Sequence, residues 1–584
     1  MRPPTNAPFF PHRGTATGLL ILALTISGIF ISKRSLAQAP KVSLVAFAGS
    51  QIVGLEDNET LAAWSLAKGI NRRGEVFFQG GISAKDAEGN SSIVGSGIWI
   101  GKPGALQLVA RDGQALPGDD SDPIFTEILN LRAFNNRGEV AFLSRIGPDM
   151  RTHEATALFH GTPGNLRLVA RDGQAAPGFE EQNGRLEFQA TIQRNDQTRI
   201  SLSDTGALAW TASVTSGQAR FDMGVWRTQN ESTVLISSPV AGVTPRSFSG
   251  PSLGSDGSVA FYQVDSVSKL YHWKDSELTE IGRVRKELGD TGTEWMRLGS
   301  PTHMSDNAII FPARTTPRGE TKAIRTIWRW KDGTFQEIAS SGMTLVPDQL
   351  VADSINAEPI RGAGLLTYSA CGKHPVDPSR FCQNVLLTND GTNSRVIAYE
   401  GMPFPNEPEG IEIVLNGIPG LIDKRTVVNE SDSIVIHLGK KSPEGEIRQA
   451  IYRVTESGYE PVIKEGDLVD FGPAGIGTST RFHLFANTSS LEPFRSLNAN
   501  DQLLLSVSTE EFRDALVVVN IAPPSPLSVT ASEGTIKLEW NGEGILESAS
   551  QLAGPWVEAE NQALSQELKT NNPTHFFRAR TSEE

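Results

Sequence analysis

The sequence predicts an all-β fold: an eight-bladed β-propeller closed by its own N-terminal strand, with a small β-sandwich at the C-terminus. Three observations carry that expectation. Apolar residues come in short bursts between turn formers, with 56 Gly and 34 Pro in 584 residues, which suits many short strands better than long helices. Two motifs alternate along the chain in units of roughly 50 to 70 residues. The two ends of the repeat region each lack what the other supplies.

The first motif is a short apolar strand running into a glycine turn. Leu108-Val109-Ala110-Arg111-Asp112-Gly113 recurs as Leu168-Val169-Ala170-Arg171-Asp172-Gly173, with weaker copies at 234–236, 337–339, 396–401 and 462–466. The second is a polar turn that leads directly into a strand, clearest in Asn71-Arg72-Arg73-Gly74 before Val76-Phe77-Phe78 and in Asn135-Asn136-Arg137-Gly138 before Val140-Ala141-Phe142. Glycine supplies a positive φ there, and asparagine bonds its own backbone. Degenerate versions at 203–210, 254–261, 305–311, 361–368, 429–436 and 498–505 bring the count to eight.

Between each polar turn and the following glycine motif lies a third strand with a bulky centre, such as Ile98-Trp99-Ile100, Leu158-Phe159, Val225-Trp226 and Ile327-Trp328. A unit of three or four strands at this spacing fits a propeller blade. Residues 44–54 resemble the first motif without its preceding turn, whereas the last unit, ending near Asn520, lacks that motif. Joining the two closes a ring and removes exposed sheet edges. An open β-solenoid or two smaller propellers are the alternatives.

Charge sets bounds on function. The chain carries 53 Lys+Arg against 67 Asp+Glu, a net charge of -14. Its first 39 residues hold four cations (Arg2, Arg13, Lys33, Arg34) and no acid, so the remainder stands at -18. Such a chain repels phosphate backbones and anionic headgroups, which argues against nucleic acid and the membrane surface as partners.

Residues 1–39 read as a signal peptide: cations, an apolar run over 18–31, then Ala37-Gln38-Ala39. The run is shorter than the about 20 residues of a spanning helix, so no membrane insertion is expected after its removal. Pro40 behind the cleavage site and Lys33-Arg34 ahead of it leave a retained anchor as the alternative. The expected location is secreted, periplasmic or cell-surface.

Cys371 and Cys382, separated by a proline-rich loop, are expected to form a disulfide in an oxidising compartment. The alternative, a metal held with His374, offers only three ligands. Residues 40–522 make the repeat domain and 523–526 a proline-stiffened linker. Residues 527–584 follow as strands at 527–530 and 535–540, then Trp556 and Phe576-Phe577-Arg578.

On these residues the chain resembles two known groups. The repeats, above all Asn71 with Gly74 and Asn135 with Gly138, resemble those of exported bacterial proteins built from tandem NxxGxxAF repeats, often grouped by choice of anchor. That resemblance spans about 42–520 and implies architecture without chemistry. The tail, through Trp540, Trp556 and the Phe-Phe-Arg strand, is similar to fibronectin type III-like modules.

Candidate sites are few. His153-Glu154 with His160 has the wrong spacing for a zinc helix. Asp119-Asp120-Ser121-Asp122 is followed by Pro123 where a calcium loop would continue. The repeated Arg111-Asp112 and Arg171-Asp172 read as turn caps with arginine lying over an apolar face. Trp99, Trp226, Trp273 and Trp328 read as core between blades. No catalytic, metal or cofactor residue is assigned.

The leading functional expectation is a non-catalytic, monomeric binding or scaffold protein that recognises a protein or a glycan outside the cell. The alternative is a secreted carbohydrate-active hydrolase or lyase using carboxylates near the ring axis. What distinguishes them is whether charged residues from different repeats meet in one pocket.

Overall fold

The computed structural model describes residues 42–521 except 118–122, 180–183, 188–199, 217–218, 238–246, 265–266, 286–293, 317–319, 321, 347–349, 356–359, 362–364, 374–382, 391–392, 406, 416–425, 457, 472–474, 485–495 and 510–514. Of residues 527–580 it describes the strands. Residues 1–39, read above as a signal peptide, residues 523–526, His374, Cys382, Trp556 and the acidic cluster at 119–122 lie outside the described residues.

Eight antiparallel sheets follow one another along the chain as the blades of a propeller. Blade 1 spans 59–111, blade 2 124–171, blade 3 185–237, blade 4 247–283, blade 5 294–340, blade 6 344–399, blade 7 412–464 and blade 8 468–520. In blade 1 the order is Glu59–Ile70, Val76–Lys85, Ser91–Lys102 and Ala105–Arg111, each strand paired with the next. The polar motif joins first strand to second, the bulky motif is the third, and the glycine motif ends the fourth.

Ring closure is as the sequence predicts. Val42–Phe47 pairs antiparallel with Ala515–Asn520, with Val42 opposite Val519 and Phe47 opposite Ala515. It thereby stands as the fourth strand of blade 8, although it precedes blade 1 in the chain.

Each sheet is buried on both faces, which explains why the second strands read as unbroken apolar runs. Val76 and Phe78 point toward blade 8, packing with Val45, Leu504 and Leu516. Phe77, between them, points the other way, into a cluster with Phe125 and Phe142 of blade 2. Eight such clusters fill the eight seams. The tryptophans behave as expected: Trp99 and Trp226 are fully buried, and Trp273 and Trp328 nearly so.

Two features were not anticipated. Blade 4 has a fourth strand, Glu277–Arg283, that ends without the glycine turn; Arg285 takes the positive φ of 63° instead. First strands are irregular. In blade 2 Ile124–Phe134 changes register three times, and in blade 5 the first strand is interrupted between Glu294–Leu298 and Thr302–His303.

Beyond the ring, Leu527–Ser532, Thr535–Trp540 and Ser565–Lys569 form one three-stranded sheet, and Ile545–Ala549, Val557–Glu558 and Phe576–Arg580 another. No helix among the described residues is long and apolar enough to cross a membrane.

Deleting residues 40–48 uncovers the edge of Ala515–Asn520 and removes Val45 and Ala46 from their seam. The expected result is a lower urea midpoint and concentration-dependent association on a sizing column. An unchanged midpoint and elution volume would show that this strand does not close the ring.

Candidate functional site: the axial mouth and its asparagine turns

The turns between first and second strands gather around the axis, and the amide of their leading asparagine ties them together. Asn71 Oδ1 accepts the backbone N–H of Arg73 and of Glu75, at 3.0 and 2.9 Å. Its Nδ2 donates to Glu75 Oε2 at 2.7 Å and reaches the carbonyl of Asn135 in the next blade at 3.4 Å. Asn135 repeats the pattern, donating to the Ser203 carbonyl of blade 3 at 2.9 Å. Asn429 of blade 7 donates to the Asn498 carbonyl of blade 8 at 2.8 Å, and Asn498 to the Asn71 carbonyl, also at 2.8 Å.

All four asparagines are buried. Two acceptor sites and two donor hydrogens are the full capacity of the side chain, and every one is used. The chain of bonds runs from blade 7 through 8, 1 and 2 to 3, across the ring closure.

The fourth position of the turn, glycine in the clearest copies, also lies against the preceding blade. Gly138 has φ 80°, and a Cβ built there would lie 2.5 Å from Nη2 of Arg73, a side chain of the preceding blade. Asn307, Asp432 and Asp501 occupy the same turn position with φ near 60°. Such residues tolerate this region, and each uses its side chain to reach the blade before it. Asn307 Oδ1 accepts from Ser255 N and Oγ, both at 2.9 Å. Asp432 accepts from Leu365 N at 3.0 Å, and Asp501 from Asn429 Nδ2 at 2.7 Å.

The residue after the asparagine position faces the axis. Arg72, Asn136, Asp204, Ser255, Ser305 and Glu430, from blades 1, 2, 3, 4, 5 and 7, line a cavity of about 240 Å³. They are held by one another: Asn136 Oδ1 accepts from Arg72 N at 2.9 Å, and Asp204 accepts from Asn136 N and Nδ2 at 2.9 and 2.8 Å. Arg72, half exposed, pairs with Glu430 across blade 8. Charges from different repeats thus meet in one pocket, already engaged with neighbours.

The residues singled out from sequence fall elsewhere. Asp112 does not cap its own turn; Gln114 Oε1 closes that by accepting from Arg111 N. Its carboxylate instead accepts from Ser96 N on the third strand and from Ile128 N of the next blade, both at 2.7 Å. Arg111 does not lie over an apolar face but grips Glu59 through both nitrogens, at 2.8 and 2.7 Å. That carboxylate was the partner sequence reading missed, because it lies 52 residues away.

His153 and His160 part company: the first meets Thr126 Oγ1 at 2.7 Å, whereas burial takes the imidazole of the second down to about 4. No group of three or more His, Cys, Asp or Glu with metal-binding geometry occurs among the described residues. Cys371 lies on Leu366–Lys373; Gln383, the neighbour of Cys382, pairs opposite Gly372.

The fold and this axial ring place the molecule among the eight-bladed β-propellers. A family of unknown function, DUF7453, matches residues 28–272. No curated protein matches the sequence. Among solved structures, an oligogalacturonate lyase in complex with manganese is 9% identical, covering 72% of this chain and 99% of its own, with a TM-score of 0.35. The Dos1 propeller is 9% identical over 82% of this chain and 95% of its own, at 0.35. A PL25 ulvan lyase is 11% identical over 72% and 97%, at 0.29. At these values the likenesses say nothing about chemistry.

Hydrogen bonds from Arg111 hold the Glu59 carboxyl below its ordinary range, so the pair stabilises the fold at neutral pH and that contribution is lost as pH falls through the carboxylate range. Burial pushes Asp112 up, which makes its protonation favour the folded state and partly offset the loss. Arg111→Met is therefore expected to be less stable than the parent at pH 7, with the gap narrowing on acidification. A gap independent of pH in urea titrations would contradict this assignment.

Proposed function

We propose that this protein is a non-catalytic binding scaffold that works outside the cell and takes a small neutral polar group, such as the terminal ring of a glycan, at its axial mouth. The observation that carries the reading is the convergence of six polar side chains from six blades on one cavity. Together they offer both donors and acceptors, as a polyol requires. Hydrogen bonds between blades fix Asn136 and Asp204 before any ligand arrives, and such preorganisation lowers the ordering cost of binding. At about 240 Å³ the cavity is smaller than the roughly 300–1,000 Å³ of sites for drug-sized ligands, which suits a single ring.

The carboxylates support recognition over bond cleavage. Both are engaged in the rim itself, Asp204 accepting from Asn136 and Glu430 paired with Arg72, whereas a general acid or base must be within reach of a substrate proton. Titration of neutral and acidic oligosaccharides against the full chain, followed by calorimetry, tests the reading. A neutral glycan is expected to bind, with Asp204→Ala and Arg72→Ala each weakening it about tenfold. Appearance of shortened or unsaturated products would replace this reading with the carbohydrate-active one.

We also propose export through residues 1–39 and a Cys371–Cys382 disulfide. The strand register supports the bridge, since the chain returns beside Gly372 directly after Cys382. A closed loop of this size contributes about 3 kcal/mol in the chain-entropy account. The expected outcome is that neither cysteine alkylates under denaturing conditions without reductant; two alkylated thiols in exported protein would exclude the bridge.

A further inference from the structure

The two faces of the ring differ in character. One carries the asparagine turns and the axial cavity. The other carries the hairpins between second and third strands and the connections from blade to blade, and its most exposed apolar residues lie over blades 8 and 1. Ile93 (75% exposed), Ile476 (61%), Leu468 (57%) and Val53 (51%) are the four most exposed large apolar side chains among the described residues, and Val94 and Ile447 stand beside them.

These positions follow one another around the ring. Ile447 lies on the blade 7 hairpin, with Ile447 opposite Lys441. Leu468 and Ile476 lie on the strand pair that opens blade 8, where Asp470 faces Ile476. Gln449 joins them, donating from Nε2 to the Thr480 carbonyl at 3.4 Å. Val53 sits in the connection from Val42–Phe47 to blade 1 and accepts from Trp99 Nε1 at 2.9 Å. Asn58 of the same connection bonds the Lys85 carbonyl at the turn end of the hairpin that carries Ile93 and Val94.

Large apolar side chains exposed to this degree on successive connections mark a candidate interaction surface, because such residues are ordinarily scattered singly. Charge then selects the partner. The segments that carry the patch, 51–58, 85–94, 441–449, 464–470 and 475–478, hold nine carboxylates and four cations. Two of those cations are already paired, Lys441 with Glu412 and Arg448 with Glu446. An apolar arc in a negative field attracts a surface that is apolar and basic, and repels anionic lipid or nucleic acid.

We propose that the arc over blades 7, 8 and 1, on the face opposite the axial cavity, docks a polypeptide segment that combines apolar with lysine or arginine side chains. This site is separate from the glycan site, so the two stand or fall independently.

Fluorescence anisotropy of two labelled amphipathic peptides with the full chain tests it, one built of leucine and lysine, the other of leucine and glutamate. The lysine peptide is expected to bind, more weakly as salt rises, while the glutamate peptide does not. Ile93→Ser and Ile476→Ser, each tested singly and each with the melting temperature of the parent, are expected to weaken binding about tenfold. Val234→Ser, at an exposed rim position in blade 3, leaves it unchanged. Failure of the lysine peptide to bind, equal binding of both peptides, or equal loss at Val234 overturns the proposal. So does self-association abolished by Ile93→Ser, which would assign the arc to a second copy of the chain.

Discussion

An asparagine side chain can accept two hydrogen bonds and donate two, and in this propeller that capacity is spent entirely at the axis. Oδ1 folds the turn by accepting two backbone N–H groups, and Nδ2 of Asn71, Asn135 and Asn498 binds a side chain at the end of that turn and a carbonyl of the next blade, whereas Nδ2 of Asn429 gives both its bonds to blade 8. Aspartate could perform the first task and not the second. Serine could do neither fully. A repeated Asn-x-x-Gly turn is therefore a seam fastener as much as a local turn, and because Asn498 reaches the Asn71 carbonyl it fastens the last blade to the first. The apolar seams supply most of the burial but are not directional. The amide bonds supply registry around the axial cavity.

Legibility of the fold in the sequence follows from where the backbone is constrained. Gly74, Gly138 and Gly206 sit at positive φ, so their motif repeats visibly, and where it decays Asn307, Asp432 and Asp501 keep the conformation. Fourth strands were legible through the glycine turns that end them, except Glu277–Arg283, where Arg285 adopts the left-handed conformation. First strands were illegible for a physical reason. Each register change in Ile124–Phe134, and the interruption between Glu294–Leu298 and Thr302–His303, shifts which residues face the seams and erases the two-residue alternation.

The axial residues were illegible for the opposite reason. Arg72, Asn136, Asp204, Ser255, Ser305 and Glu430 occupy the one turn position that the fastening asparagine leaves unconstrained. Aligning the repeats and asking which position varies within a constant frame would have found them. The Arg111 and Asp112 roles could not have been found that way, since their partners Glu59 and Ile128 belong to other strands brought near only by the fold. The same separation gives the molecule two chemically different faces: a polar mouth assembled by the turns, and exposed apolar residues on the hairpins and connections that point the other way.

The central claim is that the side-chain amide of these asparagines joins blade to blade. Its most direct test is the urea unfolding free energy of Asn498→Asp. The carboxylate retains both acceptor bonds to Asn500 N and Gln502 N, and the Gln502 amide can turn to donate to it, so the bond lost is the one to the Asn71 carbonyl. The account predicts destabilisation of about 1–3 kcal/mol at neutral pH, the cost of leaving a buried acceptor unpaired. Stability equal to that of the parent would contradict it and return the closure of the ring to apolar packing and the N-terminal strand alone.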